Sequence, residues 1–188
     1  MMNKLFTPHN LADIQLKNRV VMAPMTRTRT LNDVADELVA LYYSQRASAG
    51  LIITEGLPVS EEGRGYLYTP GLYNEAQMHG WRKVTDAVHA KGGRIFAQLW
   101  HVGRMSHVSV LPENQAPVSS GTIPATNTTV FAYSDSGEPS AVTPSIPRAL
   151  ETEEVKRVTK DFVKSARLAI EAGFDGVEIM AANGFIFD

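Results

Sequence analysis

Four short clusters place chemically capable side chains at the ends of apolar runs: Pro24-Met25-Thr26-Arg27, Glu55-Gly56, Gln98-Leu99-Trp100-His101, and Met180 to Asn183. Together they offer hydroxyls, carboxamides, a small residue and an aromatic ring. Polar hydrogen-bonding groups without strong acids suit a site that holds a flat, heteroatom-rich organic ring. A flavin is such a ring. It needs donors and acceptors along its pyrimidine edge and a small residue where backbone comes close. Gln98 offers both a donor and an acceptor, Thr26 offers a hydroxyl, and Gly56 permits close approach. The same residues also read as ordinary strand-end residues, and periodicity alone does not separate the two readings.

Other chemistries find fewer parts. Glycoside hydrolysis needs paired carboxylates, and Glu55 and Glu178 have no obvious carboxylate partner. His101 and His107 are six residues apart in a loop-like stretch, which is not the i, i+4 pair of a helical zinc site. No metal site is expected. There is no G-x-S-x-G elbow for a serine nucleophile. Gly63 and Gly65 follow a strand but lack the third glycine of a dinucleotide loop and do not open a helix. The chain contains no cysteine, which removes disulfides and thiolates.

Four apolar runs carry the clusters: Arg19 to Pro24, Leu51 to Thr54, Arg94 to Trp100 and Gly176 to Ala181. None alternates cleanly, as expected of strands buried on both faces of a parallel sheet. Helical patterns lie between them. In the first, Leu38, Leu41, Tyr42 and Gln45 share a face and Gly50 reads as the stop. In the second, Asn74 caps, Gln77 takes the capping-box position, and Trp81, Val84 and Val88 form the inward stripe. In the third, Thr152 reads as the N-cap, with Glu153 and Glu154 at the positive end of the dipole. There Val155, Val158, Phe162, Ala166 and Ile170 repeat at helical spacing, and Gly173 ends the run.

The order is β-α-β-α-β, a long insertion over 103–148, then α-β. Parallel strands joined through helices require right-handed crossovers. The insertion is rich in Pro, Ser, Thr and Gly and has no sustained helical period. Loops of this length act as lids or carry short hairpins. The pattern fits either an open doubly wound sheet or part of a (β/α)8 TIM barrel. The absence of a glycine fingerprint after the first strand favours barrel-type α/β units. No repeat or linker interrupts residues 1–188, so a single domain is expected.

Bulk properties agree with a soluble protein. Net charge is -2 with both signs mixed, which argues against nucleic acid or an anionic membrane as partner. The start, MMNKLFTPHN, has no secretory pattern, and no run approaches the roughly 18 apolar residues of a membrane helix. A cytoplasmic location is the expectation.

Longer strings carry a resemblance. LFTPHNLADIQLKNRVVMAPMTR, YYSQRASAGLIITEG, GGRIFAQLWHVGRMSH, PRALETEEV and AGFDGVEI resemble the N-terminal half of the old yellow enzyme family, of the bacterial N-ethylmaleimide reductase and xenobiotic reductase type. The resemblance covers essentially the whole chain. It implies an FMN-binding (β/α)8 barrel whose flavin takes hydride from NADPH or NADH. The hydride then passes to the β-carbon of an activated alkene: an enone, a maleimide or a nitro compound. Matched residue by residue, it implies that Pro24, Met25 and Thr26 contact the flavin from the first strand, with Thr26 tuning it. It further implies that Gly56 and Gln98 contact the flavin, that Trp100 lines the substrate side, and that the N-terminal segment is the hairpin closing the bottom of the barrel.

The match breaks at the fourth strand. The family pattern E-I-H-G-A-N-G-Y reads E-I-M-A-A-N-G-F here. Met180 stands where the resemblance places a histidine that, with Asn183, holds the substrate's activating oxygen. Phe185 stands where it places a proton-donating tyrosine. Met180 and Phe185 also read as core fillers. The resemblance covers four βα units, so the expected fold is a partial barrel truncated after its fourth strand. The groups implied to grip the FMN phosphate lie in the other half. Two alternatives to a flavin oxidoreductase follow: a non-catalytic remnant, or a half-barrel that completes itself through its open edges as a homo-oligomer or with a partner chain.

Overall fold

A computed structural model describes residues 4–188; Met1 to Asn3, which open both the MMNKLFTPHN segment and the expected 1–188 domain, lie outside the described residues. The chain begins with a 3-10 turn, Lys4–Phe6, and an antiparallel hairpin, β1 (His9–Leu11) and β2 (Ile14–Leu16). Then follow β3 (Val21–Met22), α1 (Glu37–Ser44), β4 (Leu51–Pro58), α2 (Glu75–His89) and β5 (Ile95–Trp100). The insertion holds β6 (Val118–Ser119), β7 (Val130–Tyr133), β8 (Pro139–Val142) and β9 (Arg148–Ala149), with β7 and β8 forming a hairpin. The chain closes with α3 (Thr152–Glu171) and β10 (Gly176–Ile179).

β3, β4, β5 and β10 form one sheet in the order β10-β5-β4-β3, and every pairing is parallel. This is α/β architecture, four parallel strands joined in sequence through three helices, as in part of a barrel wall. Burial on both faces holds for the two central strands, β4 and β5. It does not hold for the outer two. β3 makes only two ladder positions, and Val21 and Ile179 are exposed. An edge strand is covered by a neighbour on one side only, so an apolar run there does not guarantee burial.

The core lies between the sheet and its helices. Trp81, Val84 and Val88 of α2 are fully buried against Ile95, Ala97 and Leu99 of β5. Each such side chain contributes about 1.5–3 kcal/mol by leaving water. Asn74 caps α2 by accepting the Gln77 N–H at 2.9 Å. The Gln77 side chain reaches the N–H of Tyr73, at 2.8 Å, instead of completing the box on Asn74.

Two helices sit differently from their sequence reading. α1 is capped by Asp36, which accepts from Leu38 and Val39 at 3.0 Å each. That phase buries Val39, Ala40 and Tyr43 and leaves Leu38 and Leu41 exposed, the reverse of the expected face; Gln45, also on that face, stays exposed. Both sides of this short helix are apolar, so spacing could not choose between them. Gly50 is no helix stop, since α1 ends six residues earlier. A Cβ there would meet the Asn18 carbonyl oxygen at 2.0 Å. In α3 the N-cap is Glu151, not Thr152, and Glu151 and Glu154 form a reciprocal capping box. Val158 and Phe162 are buried as expected, but Val155 and Ile170 are exposed, and the inner stripe continues through Ser165, Leu168 and Ala169. Gly173 follows the helix at φ +88°, a conformation glycine adopts without strain.

Asp175 joins the amino ends of β5 and β10 to α2. It accepts from the Ile95 N–H at 2.9 Å and lies 2.7 Å from Arg94 and 2.8 Å from His89. Burial pushes its carboxyl up, but His89, the Ile95 N–H and Arg94 outweigh that and hold it below the usual carboxylate range. No helix among the described residues is long and apolar enough to cross a membrane.

Candidate active site at the carboxyl ends of the strands

The sheet register sets the site. Gly56, Gln98 and Glu178 stand side by side on β4, β5 and β10. The β4–β5 ladder breaks between Ile53 and Gly56, and there the Gln98 N–H is taken by the Thr54 hydroxyl at 3.0 Å. The Gln98 carboxamide nitrogen donates to Glu178 at 2.6 Å, which fixes the amide's orientation. Among the described residues no hydrogen bond reaches the amide oxygen.

Above that row opens a cleft of about 390 Å³. Pro24 and Thr26 line it from beyond β3, and Gln98 and Trp100 from β5. Met180, Asn183 and Phe185 line it from the segment after β10. Seven residues singled out in the sequence therefore share one cavity. Two do not line it. Met25 points outward and is exposed. Gly56 lies beneath the Trp100 ring, where an added Cβ would meet the indole at 2.0 Å. The close approach this glycine permits is thus to Trp100, which it seats.

Thr28 and Tyr66 also line the cleft, and sequence reasoning missed both. Tyr66 sits in the loop after β4, where no period marks it. Its sequence signal is its place directly after Gly63 and Gly65, which were weighed only as a candidate dinucleotide loop. Trp100 is buried, and its indole N–H has no hydrogen-bond partner among the described residues. Tyr66 and Phe185 pack on it at ring-centroid distances of 5.8 and 5.5 Å. Asn183 and Gly184 adopt φ +67° and +69°, turning the chain back over β5. Met180 N–H and Ile186 N–H then bond to the carbonyls of Leu99 and His101 at 2.9 and 3.1 Å. Phe185 is buried by this fold-back, while Asn183 is exposed.

The other strand-end groups are engaged elsewhere. Glu55 is buried and holds Arg27, whose Nε lies at 3.0 Å. Tyr43 donates its hydroxyl to Glu55 at 3.2 Å and accepts the Glu55 N–H at 2.8 Å. Burial pushes the Tyr43 hydroxyl well above its usual pKa. Arg27 stacks on Tyr42 at 3.7 Å. His101 is fully buried, with its Nδ1 accepting from Gly103 at 3.1 Å and its Nε2 at 3.6 Å from Glu62. His107 bonds to Ser109 at 2.8 Å. Among the described residues no three His, Asp or Glu side chains are placed to hold a metal ion.

The donor set fits a flat heteroaromatic ring such as the flavin of FMN. It combines an aromatic wall, a carboxamide with an open acceptor, and threonine hydroxyls, in a cavity of small-molecule size. Comparison with known proteins agrees. The profile of the NADH:flavin oxidoreductase / NADH oxidase family matches residues 4–188. The chain is 43% identical over 185 residues to 12-oxophytodienoate reductase 1 of Oryza sativa subsp. japonica, covering 98% of this chain and 46% of that protein. It is 41% identical to 12-oxophytodienoate reductase 2 of Arabidopsis thaliana, covering 98% and 48%. Among solved structures, it superposes on morphinone reductase in complex with tetrahydroNAD with a TM-score of 0.95 and 48% identity, covering 98% of this chain and 51% of that one. The old yellow enzyme homologue from Zymomonas mobilis gives a TM-score of 0.89 and 43% identity, covering 98% and 50%. The chain spans about half the length of each of these relatives. With the profile matched from residue 4 to residue 188 and a parallel βα sheet ending in this cleft, the chain belongs to the NADH:flavin oxidoreductase / NADH oxidase family, that of the old yellow enzymes.

Proposed function

We propose that this chain builds one half of an FMN site for NADPH- or NADH-driven reduction of activated alkenes: enones, maleimides and nitro compounds. The observation that carries the reading is the single cleft shared by Thr26, Gln98, Trp100 and Asn183. When bound, FMN supplies hydride transfer from the nicotinamide to the alkene. Gln98 holds the ring's pyrimidine edge, its free oxygen accepting a ring N–H while Glu178 anchors its nitrogen. The Thr26 hydroxyl donates to a ring acceptor, and Pro24 supplies flat apolar contact. Gly56 acts indirectly, by seating Trp100, and Met25, exposed outside the cleft, makes no contact with the flavin ring.

On the substrate side, Trp100 and Phe185 shape an apolar wall that excludes water. Asn183 donates to the substrate's carbonyl or nitro oxygen as charge builds on it. Met180 lies beside Asn183 and cannot donate a hydrogen bond. A site with one donor in place of two forgoes about 2.7–4 kcal/mol of transition-state stabilisation. Slow turnover is therefore expected, and Met180→His should speed it.

A second reading rests on the sheet edges. Val21 on β3 and Ile179 on β10 are exposed, and so are Leu38 on α1 and Ile170 on α3. A further set of βα units laid on these edges, from a partner chain or a second copy, would close the wall. In that reading the isolated chain is non-catalytic.

The test mixes purified chain with FMN, then NADPH or NADH, then N-ethylmaleimide, without oxygen. The first reading predicts maleimide-dependent oxidation of the nicotinamide and a product heavier by two hydrogens. Absence of both, with a chain that self-associates in sedimentation, favours the second.

A further inference from the structure

We propose that Tyr66 is the proton donor of this cleft, the catalytic acid that completes alkene reduction. The inference rests on the alkene-reductase reading above and deepens it. Adding hydride to the β-carbon of an activated alkene leaves negative charge shared between the α-carbon and the activating oxygen. The product needs a proton at the α-carbon. In the balanced step the Tyr66 O–H bond breaks and a C–H bond forms at that carbon. The hydride comes from NADPH or NADH by way of FMN, and water reprotonates the tyrosinate.

The cleft's inventory singles out Tyr66. Pro24, Met180 and Phe185 carry no transferable proton, and threonine hydroxyls, carboxamides and the indole N–H are far weaker acids than a phenol. Tyr66 is the one ionisable side chain lining the cleft. Its ring packs on the face of the site formed by Trp100, as Phe185 does from another direction. Among the described residues no hydrogen bond engages its hydroxyl, in contrast to that of Tyr43, which is tied to Glu55. Burial pushes the Tyr66 hydroxyl above its usual pKa, so it is protonated at neutral pH as an acid must be.

The loop that carries Tyr66 is fixed on both sides. The Leu67 N–H bonds to the Phe131 carbonyl at 2.9 Å, and the Tyr68 carbonyl accepts the Thr30 N–H at 2.9 Å. The Thr69 hydroxyl bonds the Tyr66 carbonyl at 3.1 Å. A Cβ on Gly65 would meet the Met105 carbonyl at 2.6 Å, so the insertion packs directly on this loop. Tyr66 also walls an outer cavity of about 320 Å³ with Asp33, Arg64 and Tyr133. Water there can return the proton while substrate fills the cleft.

The test loads the full chain with FMN, reduces it with dithionite, and follows reoxidation by 2-cyclohexenone in a stopped-flow mixer. Tyr66→Phe should slow reoxidation by about 10²–10⁴ and leave the Kd values for FMN and 2-cyclohexenone unchanged. Adding Phe185→Tyr to that variant should restore much of the rate, since it returns a phenol to the same cleft. A packing role would not be rescued this way. Apart from turnover, ¹³Cζ-tyrosine spectra should show one resonance that vanishes in Tyr66→Phe and shifts on adding 2-cyclohexenone. Wild-type chain that reoxidises at the same rate as Tyr66→Phe overturns the proton assignment alone. Wild-type chain that binds no FMN, or is never reoxidised by the enone, overturns the alkene-reductase reading and this assignment with it.

Discussion

Two polar clusters occupy the carboxyl ends of the same strands, and they are built in opposite ways. Behind the sheet, Glu55, Arg27 and Tyr43 are buried and bonded to one another. In the cleft, the Gln98 oxygen and the hydroxyl of Tyr66 have no hydrogen-bond partner among the described residues, and Asn183 is exposed. Burying a polar group costs free energy unless a partner replaces water. The first cluster meets that demand within the protein and so fixes strand to helix. The second leaves the demand for a ligand to meet. The strand-end carboxylate Glu55 is thus structural here, while the neutral amide and hydroxyls one row away are the groups we propose for the chemistry.

Removing a partner from the satisfied cluster should cost the most. Glu55→Ala leaves the Arg27 guanidinium nearly buried and unpaired, and the expected loss is about 3–5 kcal/mol in urea unfolding. An unchanged midpoint would mean the knot contributes little. Gly56→Ala is next. Its methyl would overlap the Trp100 ring, costing about 3 kcal/mol and shifting Trp100 fluorescence, because this glycine links the sheet to the cleft.

Asp175 extends the comparison to the amino ends of the strands, where another satisfied carboxylate sits. Asp175→Asn should cost about 2 kcal/mol near neutral pH. Its folded pKa lies below the ordinary 3.8. The stabilisation is therefore complete above that value and is lost as pH falls through the lower folded one. Wild-type stability should drop across this acid range, and Asp175→Asn should drop less. Parallel acid titrations of the two would show otherwise if Asp175 were not linked to folding.

The smallest stability effect belongs to the cleft. Thr26→Val should change the unfolding midpoint by less than about 0.5 kcal/mol while weakening flavin binding. A large stability loss there would place Thr26 with the structural cluster.

Much of this contrast was legible before any coordinates. Strand ends mark the site because parallel βα units bring them to one edge, so Thr26, Gln98, Trp100 and Asn183 could be grouped from sequence. Trp81, Val84 and Val88 were readable because α2 has one apolar stripe. The face of α1 was not, because Leu38 and Leu41 compete with Val39 and Tyr43, and the decision rests on a hydroxyl bond from Tyr43 to Glu55 on the following strand. Arg27 and Glu55 sat in the predicted clusters, yet nothing local shows that they satisfy each other across 28 residues. Tyr66 was missed for a similar reason. A loop residue has no period, and its place in the cleft is set by contacts with the insertion.

The central claim is that the cleft, not the knot behind it, receives the flavin ring. Titrating the chain with FMN and recording the visible flavin spectrum tests this most directly, using wild type, Gln98→Leu and Met25→Ala. The account predicts a saturable spectral change for wild type, a Kd weaker by at least about tenfold for Gln98→Leu, as loss of a ring-edge hydrogen bond of about 1.4 kcal/mol requires, and little change for Met25→Ala. A spectrum that does not respond, or a Gln98→Leu chain that binds as wild type does, would contradict it.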